Sequence, residues 1–320
     1  VKSFLLILLA ILLSSCRYSP SSPSPLSATP PSPTLTPTPS PLPRITFGLV
    51  GDLGLGRHLT QIARQKNDFN WSFVGISSWL TANDFNLANL ESPIITDCPT
   101  GYTGTFTFCG DTRFLPILSE NKLIFTLANN HIFNYGANGF SQTKNYLSSS
   151  QIPFVYSYQS DTEFLVKEIN GIKFGFLGYD FITNPKTNHQ TTIDTVKKYD
   201  SQVDWLIVSI HWGNEYLPQP EKWRVTLAHQ LIDAGADIIH GHHPHVWQPP
   251  EIYQGKPIFY SFGNFIFDQS WSFETSHSQI ARLTLTKNNI LAIDYFPIEI
   301  KFNSQPWLMS PTPLPLSSPP

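Results

Sequence analysis

Five apolar runs in this chain each end in a residue able to hold a metal ion, and that repetition limits the folds available to it. "RITFGLVGD" (44–52) ends in Asp52, "DFNLANLE" (84–91) in Asn89 and Glu91, and "LIFTLANNH" (123–131) in Asn130 and His131. "DWLIVSIHWG" (204–213) carries His211 near its end, and "DIIHG" leads into His240, His242, His243 and His245. Short apolar runs bounded by glycine or polar residues read as buried strands. In open α/β sheets the C-terminal ends of strands gather on one rim, where ligands bind. Five ends rich in Asp, Glu, Asn and His therefore form a set of hard and borderline donors for one or two divalent ions. Four imidazoles within six residues point the same way, because neutral imidazole is the commonest protein ligand for such ions.

Between these runs lie segments of helical character. They are Arg57 to Lys66, a proline-interrupted "TRFLPILSEN", Gly139 to Ser149, and 221–236 ending at Gly235. Hairpins are expected around Asn170-Gly171 and around Lys287-Asn288-Asn289, and "PIFYSFGNF" (257–265) reads as one further strand. Helices alternating with strands, with hairpins on the margins, argue an α/β fold with mixed sheets.

The termini differ in kind. Residues 1–16 have a basic start, ten apolar residues from Phe4 to Leu13, and then Ser14-Ser15-Cys16. Such a run is shorter than the roughly 20 residues that span a bilayer and has the order of a secretory signal. The cysteine after "LSS" resembles a bacterial lipobox, which implies lipidation at Cys16, a membrane lipid anchor and an extracytoplasmic location. Residues 17–43 hold ten prolines among serines and threonines and cannot bury a core. As an extended stalk they would reach roughly 80 Å at about 3.1 Å per residue. Folding is assigned to 44–302 as one domain, with 303–320 as a proline-rich tail. The net charge of −3 and the lack of a basic stripe exclude nucleic acid as an expected partner. Cys98 and Cys109 remain as an even pair, which in an exported protein suggests a disulfide.

Six ordered motifs carry a family resemblance: "GDLGLGR" (51–57), "NLESP" (89–93), "LANNHIFNYG" (127–136), "HWGNEY" (211–216), "AHQLIDAGADIIHGHHPHVWQ" (228–248) and "IFYSFGNFIFD" (258–268). Together they resemble the CapA family of poly-γ-glutamate capsule proteins, a branch of the calcineurin-like metallophosphatase superfamily. The resemblance implies a four-layer α/β/β/α sandwich. It implies metal ligands at Asp52, Asn130 and His211, with His243 and His245 as an H-x-H pair, His242 as a neighbour able to replace one of them, and His240 ranked below. Glu91 stands in for the usual bridging aspartate. The histidine of the usual Asp-x-His is missing, since the chain reads Asp52-Leu53-Gly54, and Asn134 stands where many relatives carry aspartate.

One or two ions (Mn, Fe, Zn, Co or Mg) are expected, and the donor set points to a metal-dependent hydrolase. His131 is the candidate acid. Arg57 and Asn89 are placed in the catalytic group as partners of an oxyanion, and Asn264 and His242 as contacts to substrate. No G-x-S-x-G context argues for a covalent hydrolase. The expected function is metal-dependent work in the synthesis, export or attachment of an anionic capsule polymer such as poly-γ-glutamate, within a capsule synthesis complex. Alternatives are an extracytoplasmic metallophosphoesterase or amide hydrolase acting on a small anionic substrate, and a non-catalytic binding or scaffold module, which the missing histidine favours.

Overall fold

The computed structural model describes residues 43–99, 106–158, 161–184 and 187–309. The expected signal, Cys16 and nearly all of the stalk lie outside these residues, as does 310–320 of the expected tail.

Two sheets pack face to face, and helices cover both outer faces. In chain order the main elements are β1 (Ile45–Leu53), α1 (Arg57–Lys66), β2 (Phe85–Leu90), α2 (Leu115–Glu120), β3 (Leu123–Thr126), α3 (Gly136–Ser149) and β4 (Phe154–Val155). Then follow β5 (Leu165–Ile169), β6 (Ile172–Asp180), α4 (His189–Tyr199), β7 (Trp205–His211), α5 (Lys222–Asp233) and β8 (Ile238–His242). The chain closes with β9 (Glu251–Tyr253), β10 (Lys256–Phe259), β11 (Asn264–Ile266), β12 (His277–Leu285), β13 (Ile290–Lys301) and β14 (Gln305–Leu308). The first sheet runs β14-β13-β12-β1-β2-β3-β4, with β11 against the end of β1, and the second runs β9-β10-β8-β7-β6-β5.

Alternation along the strands sorts the cores. Phe47 and Leu49 of β1 join Leu87, Phe174, Phe176, Ile207, Phe259 and Leu283 in the layer between the sheets. Val50 and Leu53 face the other way, toward Leu59, Leu80, Leu118 and Leu147. On the far side, β7 and β8 pack Val208 and Ile239 against Leu227 and Leu231 of α5. Period-two strands that bury both faces need a helix layer on each side. The result is the four-layer mixed α/β sandwich anticipated from the motifs.

Several local expectations change. The single strand expected at 257–265 is broken, because the chain crosses there from one sheet to the other: β10 pairs with β8, and β11 pairs with β1. Gly263 permits the crossing, with φ 68° and so little space that a Cβ there would stand only 2.9 Å from the backbone of Trp247. Helix α4 is additional to the elements read from sequence. Asn188 caps it by accepting from Thr191 N at 3.0 Å, and its apolar face is short, with Ile193, Val196 and Tyr199 packing on the core among threonines and lysines. Ordered structure also runs past 302, since β14 pairs along β13 from Lys301↔Gln305 to Ile298↔Leu308. The boundary expected there is too early, because proline content hid an edge strand, a position where proline is tolerated.

Cys98 and Cys109 are joined by a disulfide with Cα atoms 5.7 Å apart. Beside it Asp111 accepts from Arg64 Nε at 2.7 Å and from Arg113 Nη2 at 2.8 Å. Burial disfavours its charge, but Arg113 and Arg64 outweigh burial and hold the carboxyl below its ordinary range. A depressed carboxyl contributes stability above its unfolded value of about 4 and loses it as pH falls through the folded value. Asp111→Asn is thus expected to lower the melting temperature at neutral pH, with the gap to wild type closing below about pH 3 in a pH series of thermal melts.

Candidate metal centre

Strand register builds the centre as two facing rows. In the first sheet Asp52 pairs with Asn264 on one side and Asn89 on the other. In the second, His211 lies between Asp180 and His242. Both rows sit at strand C-terminal ends, and the turns that follow add Glu91, Asn129, Asn130 and His131 on one side and His243 and His245 on the other.

Asp52 is fully buried. Its Oδ1 accepts from Asn89 Nδ2 at 2.8 Å, and its Oδ2 lies 3.2 Å from His245 Nδ1. Burial opposes its ionisation, but His245, His242 and Asn89 prevail and hold it at about 2. Glu91 behaves oppositely. It is equally buried, and burial together with the Asp52 charge pushes its carboxyl well above the usual range. Asn89 Nδ2 also donates to Glu91 Oε2 at 3.0 Å, while Glu91 Oε1 has no hydrogen-bond partner.

Hydrogen-bond partners fix the histidine tautomers. The Val50 carbonyl can only accept, so His240 donates to it from Nε2 at 2.7 Å. Burial lowers His240 to about 4, so the ring is neutral and its Nδ1 accepts from Ser209 Oγ at 2.8 Å. Ser209 Oγ is then left to accept from His242 Nε2 at 3.1 Å, which leaves His242 Nδ1 a bare lone pair. His211 donates from Nε2 to Asn130 Oδ1 at 2.9 Å, leaving its own Nδ1 bare. These two unprotonated nitrogens face each other at 2.7 Å, with Asp52 beside them. Two lone pairs at that distance repel each other, and a cation removes the conflict. At His245, Asn264 Oδ1 at 3.0 Å and Asp52 make Nδ1 a donor, and Nε2 lies 3.5 Å from the orphaned Glu91 Oε1.

The donors thus fit divalent metal. Among the described residues, three groups could hold an ion: Asp52, His211 and His242; Asp52, Glu91 and His245; and Glu215, His243 and His245. Asp52 belongs to two of them, as a bridging ligand would. These are triads of the kind a metal-dependent hydrolase active site uses, with room for one or two ions of unspecified identity.

The structure also redistributes the expected roles. His242, expected as a substrate contact, is the imidazole placed with His211 and Asp52. Its ring points inward from β8, whereas His243 turns with φ 101° toward Glu215 and His245. Asn264, also expected at the substrate, is buried. Its Oδ1 takes His245 and its Nδ2 donates to the Thr275 carbonyl at 3.0 Å, so it orients a ligand instead. Arg57, expected to meet an oxyanion, is engaged by Asp268, with Nε 2.9 Å from Oδ1, and its guanidinium lies 4.6 Å from the Phe108 ring centre. Asn89 sits between both carboxylates. His131 donates from Nδ1 to Asn134 Oδ1 at 3.1 Å and turns Nε2 toward Glu91 Oε1 at 3.8 Å. Asn130 reaches His211. His240 is a brace between the sheets.

Two contributors were missed. Glu215 lies inside the quoted "HWGNEY", and an acidic residue four positions after His211 was the available signal. Asn129 donates to Asn89 Oδ1 at 3.0 Å and to the Leu90 carbonyl at 2.8 Å, and nothing in sequence separates it from Asn130. The absent motif histidine has a physical counterpart: a Cβ at Gly54 would stand 2.7 Å from the Phe267 ring, so an aromatic group fills the space.

Comparison with known proteins agrees with this geometry. Residues 46–269 match the family model described as bacterial capsule synthesis protein PGA_cap. The capsule biosynthesis protein CapA of Bacillus anthracis is 28% identical over 284 residues, covering 82% of this chain and 69% of that protein. The PGA biosynthesis protein CapA of Bacillus subtilis is 28% identical over 280 residues, covering 80% and 72%. A solved structure described as a novel phosphatase from Mycoplasma pneumoniae superposes with a TM-score of 0.52 at 14% identity, covering 81% of this chain and 94% of its own. A hypothetical protein from Thermus thermophilus gives 0.54 at 15% identity, covering 80% and 99%. At such identity these two speak for the fold alone, a mixed α/β sandwich.

His240→Ala separates brace from ligand. It strands the Val50 carbonyl and Ser209 Oγ and opens a cavity, at a cost of about 2–4 kcal/mol. The expected result is a lower melting temperature and, because the His242 tautomer loses its support through Ser209, Zn or Mn affinity weakened about 10–100-fold with the number of ions per chain kept at saturation, whereas Asp52→Ala lowers that number by elemental analysis.

Proposed function

Because the chain belongs to the bacterial capsule synthesis family of PGA_cap proteins, we propose that it is a cell-surface, metal-dependent hydrolase acting in the synthesis, export or attachment of an anionic capsule polymer such as poly-γ-glutamate. One observation carries the hydrolytic part: a buried carboxylate, Asp52, is common to two groups of metal-competent donors on a single rim. The capsule part rests on the family and on the relatives named for capsule and PGA biosynthesis. The location rests on the sequence of residues 1–43, read as a signal with lipidation at Cys16 followed by a proline-rich stretch.

In this reading Asp52, His211 and His242 hold one ion, with Asn130 fixing His211. Asp52, Glu91 and His245 hold the other, with Asn264 fixing His245. A divalent ion held by these residues would supply Lewis acidity toward water and the scissile centre. Asn89 ties Asp52 to Glu91 and keeps one oxygen of each turned into the rim. His131, anchored through its Nδ1 proton on Asn134 and lowered to about 4 by burial, presents an unprotonated Nε2 to the rim, where it acts first as a base and can protonate a leaving group only with the proton it has taken up. Phe108 stacks on His131 with ring centres 4.1 Å apart, which limits its rotation and excludes water from that side.

A second reading, a metallophosphoesterase or amide hydrolase acting on a small anionic substrate away from any capsule, draws on the same donor set and differs only in substrate. The purified mature chain, loaded in turn with Mn, Zn, Fe, Co or Mg, separates the two when tested on simple phosphoesters and on γ-glutamyl polymer. Turnover that needs metal and falls about 10²–10⁴-fold in His131→Ala, together with altered surface polyanion on gene deletion, is the expected outcome. Normal folding with no turnover on any substrate and any metal would sink the hydrolytic reading. An unchanged envelope polymer after deletion would remove the capsule assignment.

A further inference from the structure

Beside the metal rim opens a cleft whose chemistry is unlike that of the rim. It holds about 600 Å³, within the range of ligand-binding sites. Its walls include Tyr216, Trp247, Trp271, Phe273, Ile298 and Met309. Trp271 and Phe273 are 59% and 69% exposed, unusual for side chains of such apolar area. Among the described lining residues there is no lysine or arginine, and Glu274 is the only carboxylate.

The cleft and the rim are joined residue by residue. His245 belongs to two candidate metal groups, and the next residue, Val246, lines the cleft. Glu215 belongs to a candidate metal group, and its neighbour Tyr216 lines the cleft as well. The Tyr216 amide donates to the Pro244 carbonyl at 2.8 Å, which ties the two loops together. The Tyr216 ring lies 6.3 Å from His245 and 6.2 Å from Trp271, so it stands at the junction. A ligand with an anionic end on the rim therefore has its body in the cleft.

That body cannot be polyanionic. A run of carboxylates laid along these walls would lose its hydration and meet no lysine or arginine, with His277 the one basic side chain there and Glu274 adding repulsion. A glycan is poorly served too, since few polar groups line the walls to replace its hydrogen bonds with water. A hydrocarbon chain meets what the cleft offers, namely mostly aromatic and aliphatic surface with Glu274 as its one carboxylate. We propose that the cleft binds the hydrocarbon chain of an amphiphilic phosphoester whose anionic head lies on the metal rim. This deepens the hydrolase reading above and rests on it for the position of the head.

Binding of butyl, hexyl and octyl phosphate, each kept below its micelle concentration, tests the proposal on the full mature chain. Tryptophan fluorescence and calorimetry would read affinity in wild type, in a Trp271→Ala, Phe273→Ala double variant and in Asp52→Asn. Affinity is expected to rise with each methylene, by at most about fourfold, and to flatten in the double variant. Both truncated side chains are exposed, so their loss does not threaten folding. Asp52→Asn should weaken every ligand by a similar factor and leave the dependence on chain length. Equal affinity across the series, or a dependence that survives in the double variant, would overturn the proposal. So would poly-γ-glutamate displacing octyl phosphate from wild type in a manner lost in the double variant. The two readings fail separately. Chain-length dependence without hydrolysis under any metal removes the hydrolase and keeps the cleft, and hydrolysis without chain-length dependence does the reverse.

Discussion

A carboxylate with no water around it has to be stabilised by what surrounds it, and Asp52 sets that demand for the whole rim. Its partners come from three strand ends and one turn: Asn89 from β2, His211 and His242 across the sheet interface, and His245 from the loop after β8. Bringing them together requires β1 to be approached on both sides at its C-terminal end. Antiparallel pairing with β12 covers only Ile45 to Leu49, and parallel pairing with β11 takes over at Asp52. The exchange is possible because Gly51 and Gly263 meet backbone to backbone, where a Cβ on Gly51 would lie 1.9 Å from the Gly263 carbonyl oxygen. Thus "VGD" and "SFGN", far apart in the chain, are two halves of one junction.

The density of histidine has a division of labour behind it. Burial lowers His211, His240 and His242, and His211, His242 and His245 each commit one nitrogen to a protein partner, so the other is presented to the rim. His240 makes no such presentation. Both of its nitrogens are used, between Val50 in one sheet and Ser209 in the other, and it transmits a defined tautomer through Ser209 to His242. A supporting residue two positions away thus decides which nitrogen of a candidate ligand is available, as the outer partners of metal-binding histidines do.

Much of this was legible in sequence because strands carry their pattern locally. Apolar runs located β1, β2, β7 and β8 and their functional ends to within a residue or two, and the ordered motifs indicated the sandwich. Helix α1 has the bounds read for it. What escaped was set by contacts distant in the chain. The spacing of an H-x-H pair ranked His243 above His242, but both rings approach His211, with centres 4.5 and 4.9 Å away, and they fall in different candidate groups, His242 with Asp52 and His211 and His243 with Glu215 and His245. Asn264 and Arg57 looked free to meet a substrate because their partners, His245 and Asp268, lie 19 and 211 residues away. The break between β10 and β11 was hidden because an apolar run looks the same whether it stays in one sheet or changes to the other.

The missing motif histidine makes the two principal groups unequal. With Phe267 packed over Gly54, the group of Asp52, Glu91 and His245 has two carboxylates and one imidazole, whereas that of Asp52, His211 and His242 has two imidazoles and one carboxylate. Oxygen-rich sets suit hard ions such as Mn and Mg, and imidazole-rich sets suit Zn, Fe and Co. Burial that raises Glu91 when no cation is near also means that the oxygen-rich group must lose a proton before it can bind, so occupancy there is coupled to pH. The imidazole-rich group carries no such cost, since His211 and His242 are already neutral. One group is therefore prepared for its ion in advance, and the other has a proton to lose first.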